Sequence, residues 1–196
     1  MKTTSITLKL LAVSVLTTAA WAQTPAEQDQ QRDVNQQQRV EQGLQSGQLS
    51  TKEAGSLERQ EQHVDNMEAR DLKNGSMSAG EQARLNAAQN KVSSDIYADK
   101  HNGVTGNPNS ASSQRMQGDV QRNVNQQQRI QNGMDNGSLT NREAGSLERG
   151  QGHVNGKEAN AAASGHVSAR EQGRIQRSAN RQSGRIYRKK HNATTK

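Results

Sequence analysis

Six arginines near the C-terminal end of the chain, Arg170, Arg174, Arg177, Arg181, Arg185 and Arg188, are separated by 4, 3, 4, 4 and 3 residues, and Lys189 and Lys190 follow them. At about 100° per residue, this spacing gathers the six guanidinium groups within about 80° of one helix face. A one-sided row of planar, permanently charged donors suits a polyanion. Phosphates, anionic lipid headgroups or an acidic polysaccharide all qualify, and an anionic envelope component is the expected partner. The alternatives are a solvated basic face, or one that docks onto an acidic part of the same chain.

A second set of residues recurs four times. GQLSTKE, GSMSAGE, GSLTNRE and GHVSARE begin at Gly47, Gly75, Gly137 and Gly165, and all obey Gly-x-apolar-[Ser/Thr]-x-x-Glu. The pattern resembles the C-terminal half of an EF-hand loop, in which Gly is sixth, an apolar residue eighth and Glu twelfth. In that reading Glu53, Glu81, Glu143 and Glu171 would bind Ca²⁺ or another divalent cation. The first ligand position, however, is occupied by Gln42, Arg70, Asn132 and Asn160, and the third by Leu44, Leu72, Met134 and Ala162. Helix capping accounts for every retained residue without a metal. The glycines end one helix in the left-handed conformation, Ser50, Ser78, Thr140 and Ser168 cap the next, and the glutamates complete capping boxes. No resident cofactor is therefore expected, with a divalent cation as the alternative.

Catalytic constellations are not apparent. The chain has no cysteine, Gly-x-Ser-x-Gly, phosphate loop or His-Glu-x-x-His. Its carboxylates at helical spacing read as solvated surface, and no residue is assigned a catalytic role. His101 and His191, each between a lysine and an asparagine, read as helix C-terminal residues that complement the helix dipole.

These residues sit on a duplicated scaffold. Residues 33–102 align with 123–192 at a constant offset of 90, with 33 identities in 70 positions and no gap. VNQQQR, EAGSLER and the closing Ile-Tyr-x-x-Lys-His-Asn are the best-matched stretches. Within each copy, apolar residues at helical spacing predict three helices joined by two turns: about 28–45, 51–73 and 79–100, then 118–135, 141–163 and 169–190. In the first copy Ala54, Leu57, Val64, Met67 and Leu72 form one arc, as do Leu85, Val92 and Ile96. Leu49 with Met77, and Leu139 with Val167, are the expected apolar bridges between turns. The fold expected is all-α, with two tandem three-helix, EF-hand-like helical-hairpin units on a flexible linker. The corresponding segments are 1–22, a signal peptide; 23–32, an N-terminal segment; 33–102, repeat 1; 103–122, the linker and start of a helix; 123–192, repeat 2; and 193–196, a tail.

Repeat 1 carries 8 basic and 11 acidic residues and repeat 2 carries 12 and 5, so the arginine row belongs to one copy only. Gly150, Gly152, Gly156, Gly173 and Gly184 in repeat 2 predict frayed helices, because an exposed helix-interior glycine costs about 1 kcal/mol relative to alanine. Beyond residue 22 only about 15% of residues are large apolar ones, a level at which cores become thin. Lys2 and Lys9, the apolar run Leu10 to Ala20 and the Ala20-Trp21-Ala22 cleavage site predict export to the periplasm or beyond, without a membrane span. The turn pattern followed by a helix ending in Ile-Tyr-x-x-Lys-His resembles a group of small exported proteobacterial helical repeat proteins. That resemblance implies a periplasmic helical protein and brings no assigned activity.

Overall fold

The computed structural model describes residues 23–193, so the expected signal peptide, 1–22, and all but the first residue of the tail lie outside the described residues. The described chain is all-helical: α1 (Pro25–Ser46), α2 (Thr51–Asp71), α3 (Ala79–Lys100), α4 (Ala111–Asp135), α5 (Asn141–Ala162) and α6 (Ala169–Lys190). A short 3₁₀ turn, Leu72–Asn74, follows α2. Among the described residues no strand occurs, and no helix is long and apolar enough to cross a membrane.

Local chemistry explains the helix ends. Gly47, Gly75, Gly137 and Gly165 adopt φ between 74° and 91°, a region that L side chains rarely enter. Ser50, Ser78, Thr140 and Ser168 each accept from the amide of a glutamate three residues on, and that glutamate accepts from the cap amide in return. The linker is shorter than expected. Ser110 accepts from Ser113 N and starts α4 at Ala111, and Gly106 N donates to Gly47 O at 2.8 Å, tying residues 103–110 onto the first turn.

The repeats do not stand apart as units on a flexible tether. Helix α2 of the first packs antiparallel on α5 of the second, α1 packs on α4, and α3 and α6 cover the two sides. A Cβ added to Gly55 would lie 2.5 Å from Ala162 Cβ, and one added to Gly145 would lie 2.8 Å from Leu72 Cβ. Because 145 is 55 plus 90 and 162 is 72 plus 90, these close approaches are equivalent under an approximate two-fold relation between the copies. The turns therefore pair between copies: Asn141 Nδ2 donates to Gly75 O, and Lys52 lies beside Gly165. Leu49 and Val167 share one apolar cluster, Leu139 lies in the other, and Met77 packs against both.

The glycines of repeat 2 do not interrupt its helices. Helix α5 is continuous, and a Cβ on Gly152 would lie 3.2 Å from Asp65 Cβ, one on Gly156 2.5 Å from Gln62 Nε2. Along this helix glycine allows close approach to α2 rather than breaking the helix.

A candidate carboxylate metal centre

Apolar residues fill only part of the interior. The expected arc of Ala54, Leu57, Val64, Met67 and Leu72 is buried, but so are Glu58, Glu61, Asp65 and Glu68 on the adjoining face of α2. These four carboxylates, at i, i+3, i+7 and i+10, face the other helices and not water, which corrects their reading as solvated surface. Asp33 from α1, and Glu148 and Glu158 from α5, join them, and each of the seven is at most 1% exposed. No basic side chain forms a close ion pair with any of them. The ion pairs Lys91–Asp95 and Lys189–Glu143 lie elsewhere.

Asp33, Asp65, Glu68 and Glu148 converge most closely, each offering an oxygen within 4.8 Å of the others. Buried amides hold them. Gln30 Nε2 donates to Glu68 Oε2 at 3.1 Å, Gln89 Nε2 to Asp33 Oδ1 at 2.9 Å, Gln127 Nε2 to Glu148 Oε2 at 3.0 Å, and Asn155 Nδ2 to Asp65 Oδ2 at 2.9 Å. Each amide fixes one oxygen of its carboxylate, as outer-shell groups orient metal ligands. The second oxygens of Glu68, Glu148 and Glu61, their Oε1 atoms, are buried and accept from no amide or hydroxyl, while Asp33 lies within hydrogen-bonding reach of Glu68 and Asp65 of Glu148, so that a proton on one carboxyl can bridge to the other.

The electrostatics follow from burial without cations. Desolvation pushes the Asp33 carboxyl up to about 7 and that of Glu148 up to about 8. It also raises Asp65, Glu68 and Glu61 well above the usual range, with neighbouring carboxylates adding to the effect. Sixteen buried side-chain atoms find no hydrogen-bond partner among the described residues, and all sixteen are oxygens. This interior is rich in acceptors and poor in positive charge, the balance that protons or bound cations redress.

The repeated VNQQQR motif builds this interior. Gln36 donates to Gln89 O, Gln37 to Glu58 Oε2 and Arg39 to Ser93. In the second copy Gln126 donates to Ala179 O, Gln127 to Glu148 and Arg129 to Ser183. EAGSLER likewise supplies a cap (Glu53, Glu143), a close approach (Gly55, Gly145) and a buried carboxylate (Glu58, Glu148).

The residues singled out by spacing lie elsewhere. Glu53, Glu81, Glu143 and Glu171 are engaged in their capping boxes, with Glu53 and Glu143 also accepting from Asn102 and Asn192. Their carboxyls stay below the ordinary range because those hydrogen bonds favour the charged form. On α6, Arg170, Arg174, Arg177, Arg181 and Arg188 are exposed. Arg185 is half-buried and donates to Ser146 O at 2.7 Å, Lys189 approaches Glu143 at 3.9 Å, and Lys190 donates to Arg129 O. The row packs beside α4 and α5 of its own repeat, not onto the acidic copy. A cleft of about 300 Å³ between α5 and α6 is lined by His153, Lys157, Arg181 and Arg185 without an acidic side chain. His101 and His191 close α3 and α6 and stack on Tyr97 and Tyr187, with ring centroids 4.2 and 4.1 Å apart.

No family model, curated protein or solved structure matches the chain.

Proposed function

We propose that this is an exported, non-enzymatic cation-binding protein, in which two three-helix repeats are joined so that their interior carboxylates hold a hard metal ion. One observation carries this reading: Asp33, Asp65, Glu68 and Glu148 converge from three helices, buried, oriented by amides and without a basic partner. Four carboxylates with no imidazole or thiolate form an all-oxygen donor set. Such a set favours Ca²⁺, Mn²⁺, Mg²⁺ or iron over Cu⁺ or Zn²⁺. Facing helices of a bundle are an established setting for carboxylate metal sites. This reading moves the cation from the turn glutamates to the interior. Export rests on Lys2, Lys9 and the apolar run after them.

The test is isothermal titration of the full chain with Mn²⁺ and Ca²⁺ at pH 7.5, beside Glu68→Gln/Glu148→Gln. Binding by the parent chain that the double variant loses supports the centre. Equal heats from both proteins refute it.

A second reading, compatible with the first, is polyanion binding at α6. Its support is the exposed arginine row together with the acid-free α5/α6 cleft. Binding to heparin or anionic vesicles that weakens with salt and with substitution of Arg174, Arg177 and Arg181 by glutamine tests it.

A further inference from the structure

The acid-free cleft between α5 and α6 has a built-in comparison, because the same surface occurs on the first repeat with other residues. Subtracting 90 from Gly150, Lys157, Gln182 and Arg185 gives Gln60, Met67, Val92 and Asp95. On the first repeat Lys91, the counterpart of Arg181, is paired with Asp95 at 2.7 Å, and Met67 and Val92 are buried apolar residues. On the second, Lys157 and Arg181 are exposed, and arginine stands where the pairing aspartate would be. The second surface thus lacks the internal counterion of the first and has a glycine where the first has a long side chain.

Fixed polar groups form the floor of the cleft. Gln182, 2% exposed, donates from Nε2 to Leu147 O at 2.8 Å and accepts at Oε1 from Arg185 Nη1 at 3.4 Å. Arg185 Nη2 donates to Ser146 O at 2.7 Å. A Cβ on Gly150 would overlap Gln182 Oε1 and Arg185 Nη1, so a larger residue there displaces both side chains. Neutral acceptors therefore hold Arg185 across α5 without a carboxylate. Burial, then the charges of Arg188 and Arg149, pull its guanidinium below the ordinary arginine value, and an anion would offset that cost. At about 300 Å³ the cleft has the size of the smaller small-molecule sites.

We propose that this cleft binds the phosphate group of a phosphate ester or diphosphate, with Arg181 and Arg185 as the charged donors of α6 and Lys157 as that of α5. The proposal deepens the polyanion reading and rests on it: the arginine row attracts the anion, and the cleft seats one of its groups. A phosphate presents three strong acceptor oxygens in a tetrahedral arrangement, which suits donors on two walls, whereas a carboxylate presents its oxygens in one plane.

The experiment titrates the full chain with sodium pyrophosphate at pH 7 and low salt, by calorimetry and by ¹⁵N amide shifts, beside a heparin titration. Saturable binding of one pyrophosphate is expected, with the largest shifts at Gly150, Gln182 and Arg185. Lys157→Met/Arg181→Gln, at exposed positions, should weaken it at least about tenfold through loss of charge-assisted hydrogen bonds. Gly150→Gln, which leaves net charge unchanged, should weaken it likewise. Arg170→Gln/Arg174→Gln/Arg177→Gln, outside the cleft, should weaken heparin and change pyrophosphate by less than about threefold. Equal losses of pyrophosphate from the cleft and row variants overturn the cleft and leave the polyanion reading standing, and so does heparin binding by a chain that ignores pyrophosphate. A chain that ignores both overturns both. With pyrophosphate mapped to the cleft, competition by phosphatidic acid vesicles assigns the phosphate to a lipid headgroup, and absence of competition assigns it to a soluble ester; each outcome supports the cleft.

Discussion

Asn155 donates from Nδ2 to Oδ2 of Asp65 at 2.9 Å, and the two residues occupy the same position of the two repeats. The bond therefore crosses the approximate two-fold relation on which the bundle is built. Of the two equivalent residues, one is a carboxylate and the other an amide that orients it. Two aspartates here would repel each other in the interior. One aspartate and one asparagine make a donor and acceptor pair.

The buried carboxyls set a direction for stability against pH. Asp33, Glu58 and Asp119 are raised to about 7 and Glu148 to about 8, from ordinary values near 4. The folded state thus holds protons that the unfolded state releases. Their contribution is fully present below pH about 4 and is lost as pH rises through 7 to 8. Metal-free protein should be less stable to urea at pH 8 than at pH 5, by roughly 3 kcal/mol or more, a tenfold change in proton affinity being about 1.4 kcal/mol. Equal stability at the two pH values would count against buried, cation-free carboxylates.

Cation binding should reverse that loss and displace protons. Titration with Mn²⁺ at pH 7 in two buffers of different ionisation enthalpy should give apparent heats that differ, reporting proton release. Identical heats would mean that the ion binds groups already ionised, such as the turn glutamates, whose carboxyls their capping hydrogen bonds hold below the ordinary range.

Glycines on α5 and α2 should respond to alanine with opposite sign from a glycine on an open face. At Gly55 the new Cβ would meet Ala162 at 2.5 Å, whereas at Gly118 of α4 it would meet nothing within 4 Å. Gly55→Ala should destabilise by about 1–3 kcal/mol through overpacking. Gly118→Ala should stabilise by up to about 1 kcal/mol. Thermal denaturation of both variants checks the pairing of α2 with α5.

Much of this architecture was legible in the chain. The constant offset of 90, the turn glycines and the Ser/Thr-x-x-Glu caps are local signals, and they placed all six helices to within a few residues, except the start of α4. The centre was not legible, for a physical reason. Helix α2 carries an apolar arc beside an acidic one, Glu58, Glu61, Asp65 and Glu68, and an acidic arc facing a partner helix has the same spacing as one facing water. Tertiary packing buries it, against α1 of the same repeat, whose Gln30 and Gln37 donate to Glu68 and Glu58, and against α5 of the other. Two signals pointed inward: the identity of QQQR and of the EAGSLER glutamates in both copies, and the small residues of α5, which mark close helix approach. The low apolar content read as a thin core reflects an interior built partly from amides and carboxylates.

Capping glutamates should behave as structural groups. Glu53→Ala or Glu143→Ala should lower stability by about 1 kcal/mol through loss of the capping box, and leave Mn²⁺ binding unchanged. A loss of binding with either variant would return the cation to the turns.

Isothermal titration of Mn²⁺ into the metal-free chain at pH 7.5, repeated on Glu68→Gln/Glu148→Gln, tests the carboxylate centre most directly. Loss of the tightest binding step in a variant that melts no lower than the parent is the expected result. A tight step that persists with both carboxylates removed contradicts the account.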